Sequence, residues 1–277
     1  MRFGFHISIS GGFKNVVKRA KERSCETIQL FSRNPRGWKY TKLDPEDIKT
    51  FRSELEGSGI EPVFVHMPYL PNLATGKKEL FTNSVLSLKE ELRRAEMIGA
   101  GYVVIHVGSR VGLDEETALE HVIKGINLAL KGVKNRVMIL LENTAGMGSE
   151  IGYRFEEIRR IIEKVTDPER IGVVLDTAHA YEAGYDLKNE LDSVVEEFDR
   201  IIGLSRLKLL HLNDSKTKLG SRIDRHWHIG KGEIGKEGFR RIVNHKKLRH
   251  LPGIMETPRK NKKEDLMNMR MIRSLVE

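Results

Sequence analysis

A chain of 277 residues with 39% hydrophobic and 31% charged side chains can bury one large core under a charged surface, which excludes a disordered chain. Its 48 basic against 39 acidic side chains leave a charge of +9, a surplus that suits a polyanionic partner. Cys25 is the only cysteine, which rules out an intrachain disulfide; no window reaches the ~20 apolar residues of a membrane span, and His6 and Gly11-Gly12 interrupt the opening apolar run, so a cytoplasmic protein without a secretory leader or a membrane partner is expected.

Along the chain, short apolar runs alternate with amphipathic stretches, the sequence form of repeated β-α units. The spacing predicts strands at Arg2 to His6 and Glu26 to Phe31, then a helix opened by Asp44-Pro45 and closed by Gly57 and Gly59. A strand at Pro62 to Met67 leads to a helix whose stripe is Val85, Leu88, Leu92 and Ala95 and whose end is Gly99. After a strand at Tyr102 to Val107, Asp114 caps a helix carrying Leu119, Val122, Ile126 and Leu130. Strands at Val137 to Asn143, Ile171 to Thr177, Leu207 to Asp214 and Gly253 to Thr257 are separated by helices at Arg154 to Val165, Leu187 to Gly203 and Lys236 to Asn244, with a last helix from Lys262 to the C-terminus. Eight nearly continuous apolar strands predict burial on both faces, and the length suits the ~250 residues of one α/β barrel. The expected fold is α/β, a single (β/α)8 TIM barrel spanning residues 1–277.

At or near the C-terminal ends of these strands stand His6, His66, His106, Glu142, Asp176, His179, His211 and Glu256. Active sites of such barrels are built on that rim, and closure brings residues distant in sequence around one mouth. Several imidazoles and carboxylates crowded together are costly to desolvate unless they are paired or bind metal. The connection from His211 to His226 is too long and polar for a minimal β-α loop, and Asp224 and His226, two apart on an extended stretch, can share an ion. Five imidazoles and four carboxylates without cysteine suit zinc, with manganese or iron as substitutes.

The segment His211 to His226, together with Leu-Glu142-Asn-Thr-Ala-Gly-Met-Gly and Leu-Asp176-Thr-Ala-His179, resembles the endonuclease IV family of zinc-dependent apurinic/apyrimidinic endonucleases, and the similarity runs over essentially the whole chain. The resemblance implies three zinc ions: one held by His66, His106 and Glu142, a second by Glu142, Asp176, His211 and Glu256, and a third by His179, Asp224 and His226. It implies hydrolysis of duplex DNA 5′ to abasic sites in base-excision repair, leaving 3′-hydroxyl and 5′-deoxyribose phosphate ends, with Glu142 as the catalytic carboxylate. It further implies that Arg36, Tyr69 and Leu70 enter or wedge the duplex. His6 is expected to support the ligands from outside, Asn143 and Asn213 to orient them, and the protein to act as a monomer. The chain departs from the family pattern in lacking cysteines at Val174 and Ala178, in carrying Gly37 after Arg36, and in placing Pro68 and Pro71 in the third-strand loop.

Two other readings stand beside this one. A metal-dependent sugar isomerase or epimerase on a related barrel also gathers carboxylates and imidazoles at strand ends, although with mainly carboxylate ligands. A non-catalytic nucleic-acid-binding protein with structural zinc would ordinarily need cysteines that this chain lacks.

Overall fold

A strand covered on both faces needs no polar alternation, and the eight apolar runs take that environment. The computed structural model describes residues 1–259 and 261–277. Its barrel strands are β1 (Arg2–His6), β2 (Thr27–Phe31), β3 (Val63–His66), β4 (Tyr102–His106), β5 (Met138–Glu142), β6 (Ile171–Asp176), β7 (Leu207–His211) and β10 (Pro252–Met255). Among the described residues these close into one parallel barrel in the order β1-β10-β7-β6-β5-β4-β3-β2. Two short strands, β8 (Asp214–Ser215) and β9 (His226–Trp227), form a separate antiparallel ribbon.

The helices are α1 (Val16–Lys21), α2 (Pro45–Glu56), α3 (Lys78–Ile98), α4 (Glu115–Gly132), α5 (Phe155–Lys164), α6 (Thr177–Ala183), α7 (Leu191–Ile201), α8 (Gly235–Asn244) and α9 (Lys262–Ser274). Asp44 caps α2 by accepting from the Glu46 amide, and Asp114 caps α4 by accepting from Thr117 at 2.9 Å. Gly99 ends α3 at φ 81°, a left-handed conformation that favours glycine. The stripes on α3 and α4 are buried as their spacing requires. Among the described residues no helix is long and apolar enough to cross a membrane.

The barrel interior is stacked in two levels, because residues two apart on a strand share a face. The lower level is an apolar cluster of Phe64, Val104, Leu140, Val174, Leu209 and Ile254. Two residues further along the same six strands stand His66, His106, Glu142, Asp176, His211 and Glu256. On β1 the lower position is Gly4, where a Cβ would lie 1.7 Å from the Thr27 carbonyl oxygen, so only glycine permits this approach of β1 to β2. The upper positions there are His6 and its register partner Gln29.

The strand ends differ by up to three residues from the sequence expectation, most at β7. There the ladder strand stops at His211 and the chain turns toward the ribbon, so the predicted continuous run to Asp214 is two elements. Two short helices, α1 and α6, were not foreseen. The second begins without any gap after β6 because the Asp176 carboxylate accepts from the His179 amide at 2.9 Å and caps it. Helix α7 starts at Leu191 rather than Leu187, after a turn in which Asp186 accepts from the Lys188 and Asn189 amides.

Candidate metal centre

The upper level of the barrel gathers donor atoms into three groups. In the first, His66, His106 and Glu142 meet: Glu142 Oε2 lies 3.2 Å from His66 Nε2 and 3.4 Å from His106 Nε2. In the second, Glu142, Asp176, His211 and Glu256 meet: His211 Nδ1 lies 2.9 Å from Glu142 Oε1, 3.3 Å from Glu256 Oε2 and 3.7 Å from Asp176 Oδ2. Glu142 thus turns one oxygen to each group. In the third, His179 Nε2 faces His226 Nε2 at 3.2 Å, and Asp176 Oδ2 lies 3.5 Å from the latter. Asp224 Oδ1 stands 3.5 Å from His179 and 3.7 Å from His226, so all nine expected residues converge, with Asp176 nearer the third group than the resemblance implies.

The outer nitrogens of the imidazoles show which atoms face inward as donors. A carbonyl only accepts, so His66 Nδ1–H donates to Met67 at 2.6 Å and His179 Nδ1–H donates to Asn143 at 3.0 Å. In the neutral rings each Nε2 then presents a lone pair to the cluster. Asn213 donates to Asp176 Oδ2 at 2.7 Å and accepts from the Glu256 amide at 2.8 Å, while the Asn143 side chain accepts from the Asp176 amide at 2.7 Å. Both asparagines therefore hold donors, as expected of them from the sequence.

Glu142, Asp176 and His211 are completely buried. Burial pushes the Glu142 carboxyl up, but His211 and His106 outweigh it and hold Glu142 well below the usual carboxylate range. Burial likewise pulls the His211 imidazole down, yet Glu256 and Glu142 overcome this and raise it to about 9. His179 is raised well above its ordinary value against its own burial, by Asp176 and Asp224. These mutual shifts describe a set of anions that demands positive charge, supplied by protons here and equally by cations. Nitrogen and oxygen donors in overlapping groups, inward lone pairs and shared buried carboxylates fit divalent metal ions.

Around this mouth, Arg36 is exposed on the loop after β2, and Tyr69 and Leu70, at 66% and 41% exposure, stand on the loop after β3. The Tyr69 ring lies 5.9 Å from that of His66 and 5.8 Å from that of His106, directly beside the donors. His6 packs 4.2 Å from Phe31 and approaches Glu256 at 3.5 Å, which fits a supporting place. On the loop after β7, Lys216 lies over the Trp227 ring and Arg222 over the Tyr153 ring.

Sequence reasoning missed three groups that hold the mouth in shape. Gln29 is buried against His211, Glu256 and His6; its signal is an amide inside the apolar run Thr-Ile-Gln-Leu-Phe, and it is the only glutamine in the chain. Arg33 and Arg94 surround the buried Glu91 and the Tyr40 ring beneath the loop that carries Arg36. Glu182 Oε1 accepts from Ser215 Oγ at 2.7 Å and from the Arg225 amide at 3.1 Å, tethering the segment with Asp224 and His226.

A family model described as a xylose isomerase-like TIM barrel matches residues 17–275. A protein named probable endonuclease 4 from Halothermothrix orenii is 46% identical over 274 residues, covering 97% of this chain and 99% of its own length. One of the same name from Methanosphaerula palustris is 46% identical over 280 residues, covering 99% and 98%. The crystal structure of endonuclease IV from Thermus thermophilus superposes with a TM-score of 0.89 at 39% identity, covering 99% of this chain and 98% of the other. A D-tagatose 3-epimerase-like protein shares the barrel with a TM-score of 0.72 at 18% identity, a likeness of fold alone.

Proposed function

Since the chain belongs to the endonuclease 4 family, we propose that it hydrolyses the phosphodiester bond 5′ to abasic sites in duplex DNA, leaving 3′-hydroxyl and 5′-deoxyribose phosphate ends. It does so as a cytoplasmic monomer in DNA repair, with three zinc ions that manganese or iron can replace. The observation that carries this reading is the convergence of five imidazoles and four carboxylates on one rim of the barrel.

His66, His106 and Glu142 would hold one ion, Glu142, Asp176, His211 and Glu256 a second, and His179, Asp224 and His226 the third, with Asp176 also in reach of the last. Bound metal supplies a water of lowered pKa and positive charge for the departing oxygen, so hydrolysis needs no covalent protein nucleophile. Glu142 is the catalytic carboxylate: its two oxygens span two donor groups and fix their separation. Asn143 and Asn213 keep Asp176 and Glu256 oriented, so the donors require little reorganisation when substrate arrives. Arg36, Tyr69 and Leu70 enter the duplex from the loops after β2 and β3, where an aromatic and an aliphatic group can fill space left by an extruded nucleotide. Extrusion costs least where the base is already missing, which directs the site to abasic DNA.

The test is a duplex bearing one tetrahydrofuran abasic analogue, which cannot undergo β-elimination, incubated with metal-loaded and metal-stripped protein. A metal-dependent cut immediately 5′ to the lesion with a 3′-hydroxyl is expected. An uncut duplex with folded, metal-loaded protein would overturn the reading and direct attention to ketose isomerisation or epimerisation.

A further inference from the structure

We propose that Gln29 is a positioning residue for the second donor group, setting the proton of His211 and the orientation of Glu256 through one side-chain amide. The inference rests on the metal-centre reading above. Gln29 occupies the β2 place in the same interior level where six other strands present His66, His106, Glu142, Asp176, His211 and Glu256. It is completely buried, and an amide there touches three titratable groups. Gln29 Nε2 lies 2.6 Å from Glu256 Oε1 and 3.1 Å from His6 Nδ1, while Gln29 Oε1 lies 2.9 Å from His211 Nε2.

The chemistry of Glu256 fixes the direction of the bonds to Glu256 and His211. At 2.6 Å from a carboxylate oxygen of Glu256 the Gln29 atom is the NH2 group, which donates, and the atom 2.9 Å from His211 Nε2 is the carbonyl oxygen. An amide flipped by half a turn would set two oxygens 2.6 Å apart. The carbonyl accepts from His211, so His211 carries a proton on Nε2, and its neutral ring directs the Nδ1 lone pair at Glu142, Asp176 and Glu256. The second NH of the amide lies 3.1 Å from His6 Nδ1. His66 and His179 receive this service from backbone carbonyls; His211 stands in the barrel centre, where no main-chain acceptor is within reach among its described hydrogen bonds, and a side chain provides it.

Gln29→Met keeps the side-chain volume and removes both polar functions. Gln29→Glu keeps an acceptor for His211 but sets a carboxylate against Glu256. Zinc affinity is measured by competition with a graded chelator, and the imidazole proton positions by nitrogen-15 spectra of the metal-free proteins at alkaline pH. In Gln29→Met one bound ion is expected to weaken about 10- to 100-fold with the others unchanged, and His211 is expected to lose its preference for Nε2–H. In Gln29→Glu one ion weakens while the His211 proton stays on Nε2, which separates the two roles of the amide and serves the test should the methionine variant not fold. Wild-type affinity at every ion with an unchanged His211 tautomer would overturn the proposal. So would a parallel loss of all ions together with a lower melting temperature of the metal-free protein, since that is a packing effect. If the wild type takes up no divalent metal, the metal-centre reading falls, and the proton positions alone still decide whether Gln29 sets them.

Discussion

The donors carried by strand ends and those carried by the loop after β7 are held in different ways. Glu142, Asp176 and His211 end strands inside a closed ladder, and their side chains are wholly buried. Asp224 keeps 37% of its side chain exposed, and it and His226 depend on the ribbon pairing of Ser215 with His226 and on the tether from Glu182. Displacing a strand donor requires opening the barrel, whereas the loop donors move with a few side-chain and ribbon bonds. Rigidity is therefore graded across one site: two donor groups are fixed by the fold and the third is completed by a segment with its own local stability.

Three experiments press on that contrast. The largest effect is expected of Glu142→Gln, because its carboxylate belongs to two groups: metal content should fall by more than one ion per chain and turnover on an abasic duplex by at least about a hundredfold, measured by elemental analysis and by product mapping. Full metal content with full turnover would remove Glu142 from the centre of the scheme. Asp224→Ala should cost one ion only and leave the metal-free melting temperature unchanged, and a chelator titration of the wild type should release one ion before the rest. Simultaneous release of every ion would erase the distinction between loop and strand.

The smallest effect is a pH dependence of the metal-free protein. His211 is raised to about 9 in the fold, since Glu256 and Glu142 outweigh its burial. A raised imidazole stabilises the fold fully below its unfolded value near 6.5, and that contribution disappears as pH rises through about 9. The stability of metal-free protein, followed by its melting temperature, should decline over this window by an amount on the order of 2 kcal/mol, while metal-loaded protein, with cations in place of the protons, stays level. Parallel curves for the two forms would show that protons and metal do not compete here.

Much of this was legible because a buried strand announces itself by composition and because a barrel gathers whatever lies at its strand ends. The period-two relation of Val104 to His106, or of Leu209 to His211, is visible in the sequence once the strand is recognised. Helix α6 was hidden because Asp176 is at once the last strand residue, a helix cap and a site donor, which leaves no loop to mark the change. Gln29 was hidden for another reason: an amide within an apolar strand gains meaning only from the register that sets it beside His6, and from barrel closure that brings it to His211 and Glu256. Asp224 and His226 were found from local spacing, but the Glu182 tether that holds their loop comes from α6, 42 residues before Asp224.

Because β1 closes the barrel against β10, the barrel strand made last among the described residues is also a wall of the mouth. Glu256 leaves the ribosome 190 residues after His66, an interval of about 10 to 40 s at typical elongation rates of about 5–20 residues per second. Throughout that interval the nascent chain carries earlier donors without Glu256, a member of the second group. The donor set is therefore completed only once Glu256 has been made, and the order of translation keeps the finished set from existing before the strand that closes the barrel.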